Sequence, residues 1–121
     1  MQALVEIGNS RGYGFPLSGH AIMTANTTNG AMVLTDNCGI RSITKTGTGL
    51  YTILLQDVLP AAFVHGDVMD PTATAVHRIQ ILTKNLTTRT ITVVHQSPLG
   101  TAADIANGLE VNFLVYGRHT L

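Results

Sequence analysis

The sequence holds one cysteine, Cys38, and no tryptophan. A single thiol excludes an intramolecular disulfide framework and a thiolate-built zinc site. A chain of 121 residues does not need such staples to fold, so a reducing cytoplasm is allowed. Charge is also sparse. Asp, Glu, Lys and Arg make up 12% of the chain, against roughly 25% in an average soluble domain. Seven basic residues balance seven acidic ones and are scattered, so no net field or basic stripe directs the chain to nucleic acid or an anionic membrane. Apolar runs are short and interrupted, which excludes a spanning helix of roughly 20 residues. Met1 to Gly8 carry neither the basic start nor the long apolar run of a signal peptide, so no secretion signal is expected.

What remains is apolar and β-branched. Hydrophobic residues are 45% of the chain, enough to exclude intrinsic disorder and to build one domain's core. There are 17 Thr, 10 Val and 9 Ile, all stiff at χ1 and suited to a pleated surface. Neutral polar side chains thus stand where charges usually keep a surface soluble. A surface largely covered by neighbours tolerates this, because interface cores are depleted in charge. The composition therefore favours self-association that persists at high salt.

Short apolar segments bounded by Gly, Asn, Asp and Pro predict strands over 20–25, 31–35, 40–45, 50–56, 76–84, 88–95 and 109–117. Asn29-Gly30 reads as a hairpin turn. Over 40–45, Ile40, Ser42 and Thr44 alternate with Arg41, Ile43 and Lys45. At the end, Leu109, Val111, Phe113 and Val115 form an apolar face opposite Glu110, Asn112, Leu114 and Tyr116. Pro60 makes 57–63 irregular, with room for one helical turn, and 96–108 is a long loop. The expectation is an all-β antiparallel sandwich or jelly-roll-like fold of about seven or eight short strands. Residues 1–19 carry Gly8, Gly12, Gly14, Gly19 and Pro16 together with Tyr13 and Phe15. They read as an extended arm ordered by contact with another chain, leaving 20–121 as one sandwich domain. Arg11, Tyr13 and Phe15 are the candidate partner-binding residues.

Reaction chemistry is hard to find. Gly47-Thr48-Gly49 is followed by a strand and not by the helix N-terminus that a phosphate loop needs. His65, Asp67 and Asp70 lie within six residues, but no fourth donor is near, and the segment reads as a solvated loop. His20, His77 and His95 fall in predicted strands, and there is no G-x-S-x-G elbow. Asn26-Thr27-Thr28 and Asn85-Leu86-Thr87 match the glycosylation pattern, which is discounted without a secretion signal. No catalytic residue, cofactor or metal ligand is assigned.

One segment carries a resemblance. Ile40-Arg41-Ser42-Ile43-Thr44-Lys45-Thr46-Gly47-Thr48-Gly49-Leu50-Tyr51-Thr52-Ile53 resembles a hairpin of tailed-bacteriophage virion proteins: a strand ending in a basic residue, T-G-T-G, then a residue, Tyr, Thr and an aliphatic. Asp104 to Arg118 is similar to the closing strand of such proteins, with Asn107-Gly108 as its feeding turn. The likeness spans roughly Cys38 to Leu121. It implies a β-sandwich, self-association and no catalytic residues. At least one of Gly47 and Gly49 should have a positive φ.

The resulting expectation is a non-enzymatic capsid decoration (cement) protein, made in the host cytoplasm and placed on the virion exterior. Its partners would be the major capsid protein and itself, with a homotrimer preferred and a dimer second, and neither nucleic acid nor membrane. The alternative is a small fibre, tail or head-fibre module for host-surface attachment.

Overall fold

The computed structural model describes residues 16–72 and 76–118. These residues form nine strands: β1 Leu17–Thr24, β2 Gly30–Ala31, β3 Val33–Cys38, β4 Ile40–Gly47, β5 Leu50–Leu55, β6 Ala61–Met69, β7 Arg78–Asn85, β8 Thr90–Gln96 and β9 Glu110–Arg118. They form two antiparallel sheets, ordered β3-β1-β9-β6 and β2-β4-β5-β8-β7. Among the described residues no helix is long and apolar enough to cross a membrane. The fold is the expected β-sandwich.

The core follows from period-two alternation on both sheets. Ala21, Met23, Val111, Phe113 and Val115 point inward from the four-stranded sheet, and Ile43, Tyr51, Ile53, Leu55, Ile91 and Val93 meet them from the five-stranded one. Leu59 and Ile105 are supplied by loops and are also buried. The 109–117 alternation is as expected. On the outer face of the five-stranded sheet, Thr44, Thr52, Thr92 and Thr83 stand side by side on four strands. Such cross-strand threonine pairs support a sheet while presenting a neutral surface.

Four expectations need correction. First, 65–70 is not a loop: it belongs mostly to β6, where Phe63, His65, Asp67 and Met69 face out and Ala62, Val64, Gly66 and Val68 face in. The alternation is present in the sequence, but its outward positions mix aromatic, polar and sulfur side chains, which hides the period. The same strand takes up Ala61 to Phe63, so no helical turn forms there. Second, Asn29-Gly30 does not close a hairpin. Residues 24 and 30 enter different sheets, because β1 pairs with β3 while β2 pairs with β4. Third, the faces of 40–45 are not continuous. A register shift between Ile40 and Ser42 takes up Arg41 as an extra residue, so that Ile40 and Ile43 are both buried. Fourth, the first predicted strand begins at Leu17, so Leu17 to Gly19 are sheet. The rest of the arm up to residue 15 lies outside the described residues.

The chain passes from one sheet to the other through a single residue, Gly39, between β3 and β4. Its φ is +76°, and a Cβ there would collide with the Ser18 carbonyl oxygen and come within 2.9 Å of the Gly19 Cα. The Gly39 carbonyl in turn accepts from the Gln56 amide at 2.9 Å. Gly100 has a similar φ of +81° but open space around it. Gly100→Ala should therefore lose only the left-handed preference, about 1 kcal/mol. Gly39→Ala should lose that and force the backbones apart, at least about 2 kcal/mol. Denaturant unfolding of the two variants checks this. Equal losses would show that the close approach at Gly39 costs nothing.

Candidate functional site

Polar chemistry gathers at one end of the sandwich, where the β4–β5 turn meets the 97–108 loop. Lys45 is on the inward face of β4 and is only 3% exposed. Its ammonium donates to Asn29 Oδ1 at 2.9 Å and pairs with Asp104 Oδ1 at 3.0 Å. Asp104 also accepts from the Gly49 amide at 2.8 Å. Gly49 has the positive φ expected of this turn, +65°, and a Cβ there would lie 2.7 Å from the carbonyl oxygens of both His95 and Ala103. The turn is thus packed against β8 and the long loop backbone to backbone. Burial by itself would raise the Asp104 carboxyl, but the Gly49 amide and the Lys45 ammonium outweigh it and hold the pKa below its ordinary value. Tyr51, the second residue of β5, lies beside this cluster. Its hydroxyl is buried near the Ile105 amide without a well-formed hydrogen bond, and burial pushes its phenol up.

Next to the ion pair runs a relay of three side chains. His95 lies in β8, and His77 immediately precedes β7 instead of falling inside the strand expected over 76–84. His95 Nδ1 donates to the Ala103 carbonyl at 2.6 Å. Its Nε2 lies 2.8 Å from His77 Nδ1, and His77 Nε2 lies 2.8 Å from Asp70 Oδ2. Since a carbonyl only accepts, His95 carries a proton on Nδ1, and one further proton bridges its Nε2 and His77 Nδ1. Asp70 is held below its ordinary pKa by the His77 ring first and the Thr72 amide second. Burial pushes His95 down, against the upward pull of the Ala103 carbonyl and with His77 adding to the fall.

This arrangement differs from a catalytic triad in one decisive respect. A base must present a free ring nitrogen to a hydroxyl or thiol. Both ring nitrogens of His77 and both of His95 are already bonded within the relay. Cys38 is exposed on β3, in the other sheet. Among the described residues no group of three or more His, Cys, Asp or Glu is placed to hold a metal ion. The relay and the ion pair tie β4, β8 and the β4–β5 turn to the three loops that carry Asn29, Asp70 with His77, and Ala103 with Asp104.

A second feature lies on the outer face of the four-stranded sheet. A hollow of about 330 Å³ is lined by His20, Ala21, Ile22, His65, Asp67, Asn112, Phe113 and Leu114. His20 is 3.2 Å from Asp36 on the neighbouring strand. Phe63 and Tyr116 stack at one end of the same face, with centroids 5.1 Å apart. The candidate partner residues Arg11, Tyr13 and Phe15 lie outside the described residues. His65 and Asp67, read as a solvated pair on a loop, stand instead on β6 at the rim of this hollow. The pairing of Lys45 with Asp104 was not foreseen, because it joins segments 59 positions apart that only the fold brings together, and that of Asp70 with His77 was not foreseen, because 76–84 was read as strand throughout and 65–70 as loop. No protein-family model, curated protein or solved structure matches the chain.

Two outcomes follow. Asp104→Ala leaves the Lys45 ammonium buried with one neutral partner and should cost about 3 kcal/mol. Lys45→Met combined with Asp104→Ala should recover most of that loss in denaturant unfolding. If the double variant is as unstable as the single, the buried charge is not what Asp104 serves. The second outcome concerns acid. His95 has a lowered pKa in the fold, so the unfolded chain takes up a proton that the folded one refuses. Its contribution to stability is complete above the ordinary value of 6.5 and is lost as pH falls through and below it. Asp70 and Asp104, also lowered, add their loss only as pH falls below 3.8. Unfolding midpoints measured at pH 7.5 and pH 5.5 should fall more for the native chain than for His95→Gln. An equal fall would remove His95 from the acid response.

Proposed function

We propose that this chain is a non-enzymatic structural protein of a tailed-phage virion, which binds the outer surface of the capsid, associates with itself and stabilises the shell. The observation that carries this reading is the character of the two outer sheet faces. One presents a rung of four threonines. The other presents Ile22, Leu114 and Asn112 at the middle of a shallow hollow, with His20, His65 and Asp67 at its rim. Neutral and apolar side chains of this kind are what protein interfaces bury at their centres. The resemblance of the Ile40–Ile53 hairpin to virion proteins points the same way. That hairpin is bound at Gly49 into the Lys45–Asp104 cluster, so it is part of the framework and not a free loop.

Decoration needs no reaction. A protein that binds the assembled shell but not its separated subunits stabilises assembly by mass action, about 2.7 kcal/mol per site at a hundredfold excess over Kd. Repeated over many sites, modest contacts suffice. The closed Asp70–His77–His95 relay suits this role, since it stiffens the sandwich without offering a base.

The test is location and copy number in purified virions from the host that carries the gene. Hundreds of copies on the capsid exterior are expected, from quantitative mass spectrometry and an electron-microscopic reconstruction. A dozen or fewer copies at the tail or on a fibre would move the chain to an attachment role. Absence from the virion would overturn the reading.

A further inference from the structure

The outer face of the four-stranded sheet has a regularity that concerns a second copy of the chain. Strand register places Ala21 of β1 and Gly66 of β6 on either side of Phe113 of β9, in one line across the sheet. Their side-chain positions point inward. The outward residues one step to one side of this line are His20, Leu114 and His65; one step to the other side they are Ile22, Asn112 and Asp67. Asp36 of β3 extends the second rung, opposite Ile22. A histidine rung and an aspartate rung therefore flank a common line, and the 330 Å³ hollow is centred on that line.

We propose that this face packs on the same face of a second copy about a twofold axis lying along the Ala21–Phe113–Gly66 line. A half-turn about that axis exchanges the two rungs. His65 then faces Asp67 of the second copy, Leu114 faces Asn112, and His20 faces Ile22 beside Asp36, each contact occurring twice. The imidazole donates to the carboxylate in either of its protonation states. The two hollows face each other on the axis and give the Leu114 side chain of each copy space to enter. A half-turn about the other in-plane axis, along β9, would set His20 against His65 and Ile22 against Asp67, which pairs like with like and a carboxylate with an apolar side chain. The complementarity therefore selects one axis.

Geometry sets the expected strength. Aligned sheets pack about 30° apart, which displaces Leu114 and Asn112 by less than about 2 Å and His65 and Asp67 by about 3 Å, at a rise of roughly 3.4 Å per residue and a strand spacing of about 4.8 Å. Four strands over about seven residues cover roughly 19 Å by 24 Å, near the lower limit of specific interfaces. The dimer should accordingly form at micromolar concentrations and not below. This twofold arrangement favours the dimer over the trimer, because sheet-on-sheet packing about an in-plane axis closes after two copies. It rests on the self-association in the reading above, and not on attachment to a capsid.

Sedimentation equilibrium on the full chain, from about 1 µM to 1 mM, tests it. The native chain should be a dimer in the upper part of that range. His65→Asp alone and Asp67→His alone should each weaken the dimer at least tenfold, by setting like groups face to face. The exchanged double variant, His65→Asp with Asp67→His, should return to within about threefold of the native value, since the carboxylate introduced at position 65 then meets the imidazole introduced at position 67 across the axis. Both positions are exposed on β6, and thermal unfolding of each variant confirms that the fold is intact. Leu114→Glu, which places a carboxylate at each hollow, should be monomeric throughout. A native chain that is monomeric at 1 mM, a trimer, or a double variant no better than the singles would overturn the proposal. A monomer that is nonetheless abundant on virions would leave the capsid reading standing while this one fails; a dimer absent from virions would do the reverse.

Discussion

An ammonium group enclosed between two apolar sheets has to be neutralised, and one whole end of this protein is arranged to do so. Lys45 points inward among Ile43, Tyr51 and Ile53, where an unpaired charge would cost more than a domain of this size can spare. Asp104 answers it, and it comes from the middle of the long 97–108 loop. Bringing Asp104 to that point carries Ile105 into the core as a plug and sets the loop backbone against Gly49, where only a hydrogen fits. His95 is fastened in the same way, its amide to the Gly49 carbonyl at 2.7 Å and its carbonyl to the Ala103 amide at 3.0 Å. The turn, the loop and the end of β8 share one electrostatic cause.

That cause explains which parts of the structure could be read in advance. The β9 pattern of Leu109, Val111, Phe113 and Val115 is a plain two-residue period, and the strand lies where it predicts. The T-G-T-G turn was legible because a tight connection flanked by glycine has few backbone solutions, and Gly49 takes the expected left-handed one, although Thr46 and Gly47 belong to β4 and only Thr48-Gly49 connect the strands. β6 was missed because its outward positions mix Phe63, His65, Asp67 and Met69, so that polarity does not mark the period. Inside β4, a lysine reads as a surface residue by type, and nothing local announces a partner 59 positions further on. The bulge at Arg41 has no composition signal either, since the sheet demands it to bring both Ile40 and Ile43 inside.

The candidate site divides along the same line. A residue with a local signature is placed well by its neighbours: His95 lies in a strand as expected, and His77 misses one by a single position. Their connection through Asp70 and the Ala103 carbonyl depends on the order β5-β8-β7 and on where β6 ends, which is information about the whole fold. A linear reading counts donors within a few residues of each other. The sandwich instead assembles a relay from 70, 77 and 95, and leaves His65 and Asp67, which are close in sequence, apart from it on an outer face.

The two long flanks of the sandwich are closed by unlike means. On the flank where β3 turns into β4, the seam is backbone against backbone at Gly19 and Gly39, reinforced by a parallel bridge between His20 and Gly39. On the other flank, β6 and β7 are edge strands of different sheets, and the Lys84 ammonium reaches across to the Ala62 carbonyl at 2.9 Å. One flank is a hinge with no moving side chain, and the other is a latch made of side chains, Lys84 at one end and the Asp70–His77 pair at the other. Under load, or in the slow breathing that exchanges amide protons, the sandwich should part along β6 and β7 while the Gly39 seam stays shut. A body built in this way yields in one direction only, so its orientation on any larger assembly decides whether strain from that assembly reaches the latch.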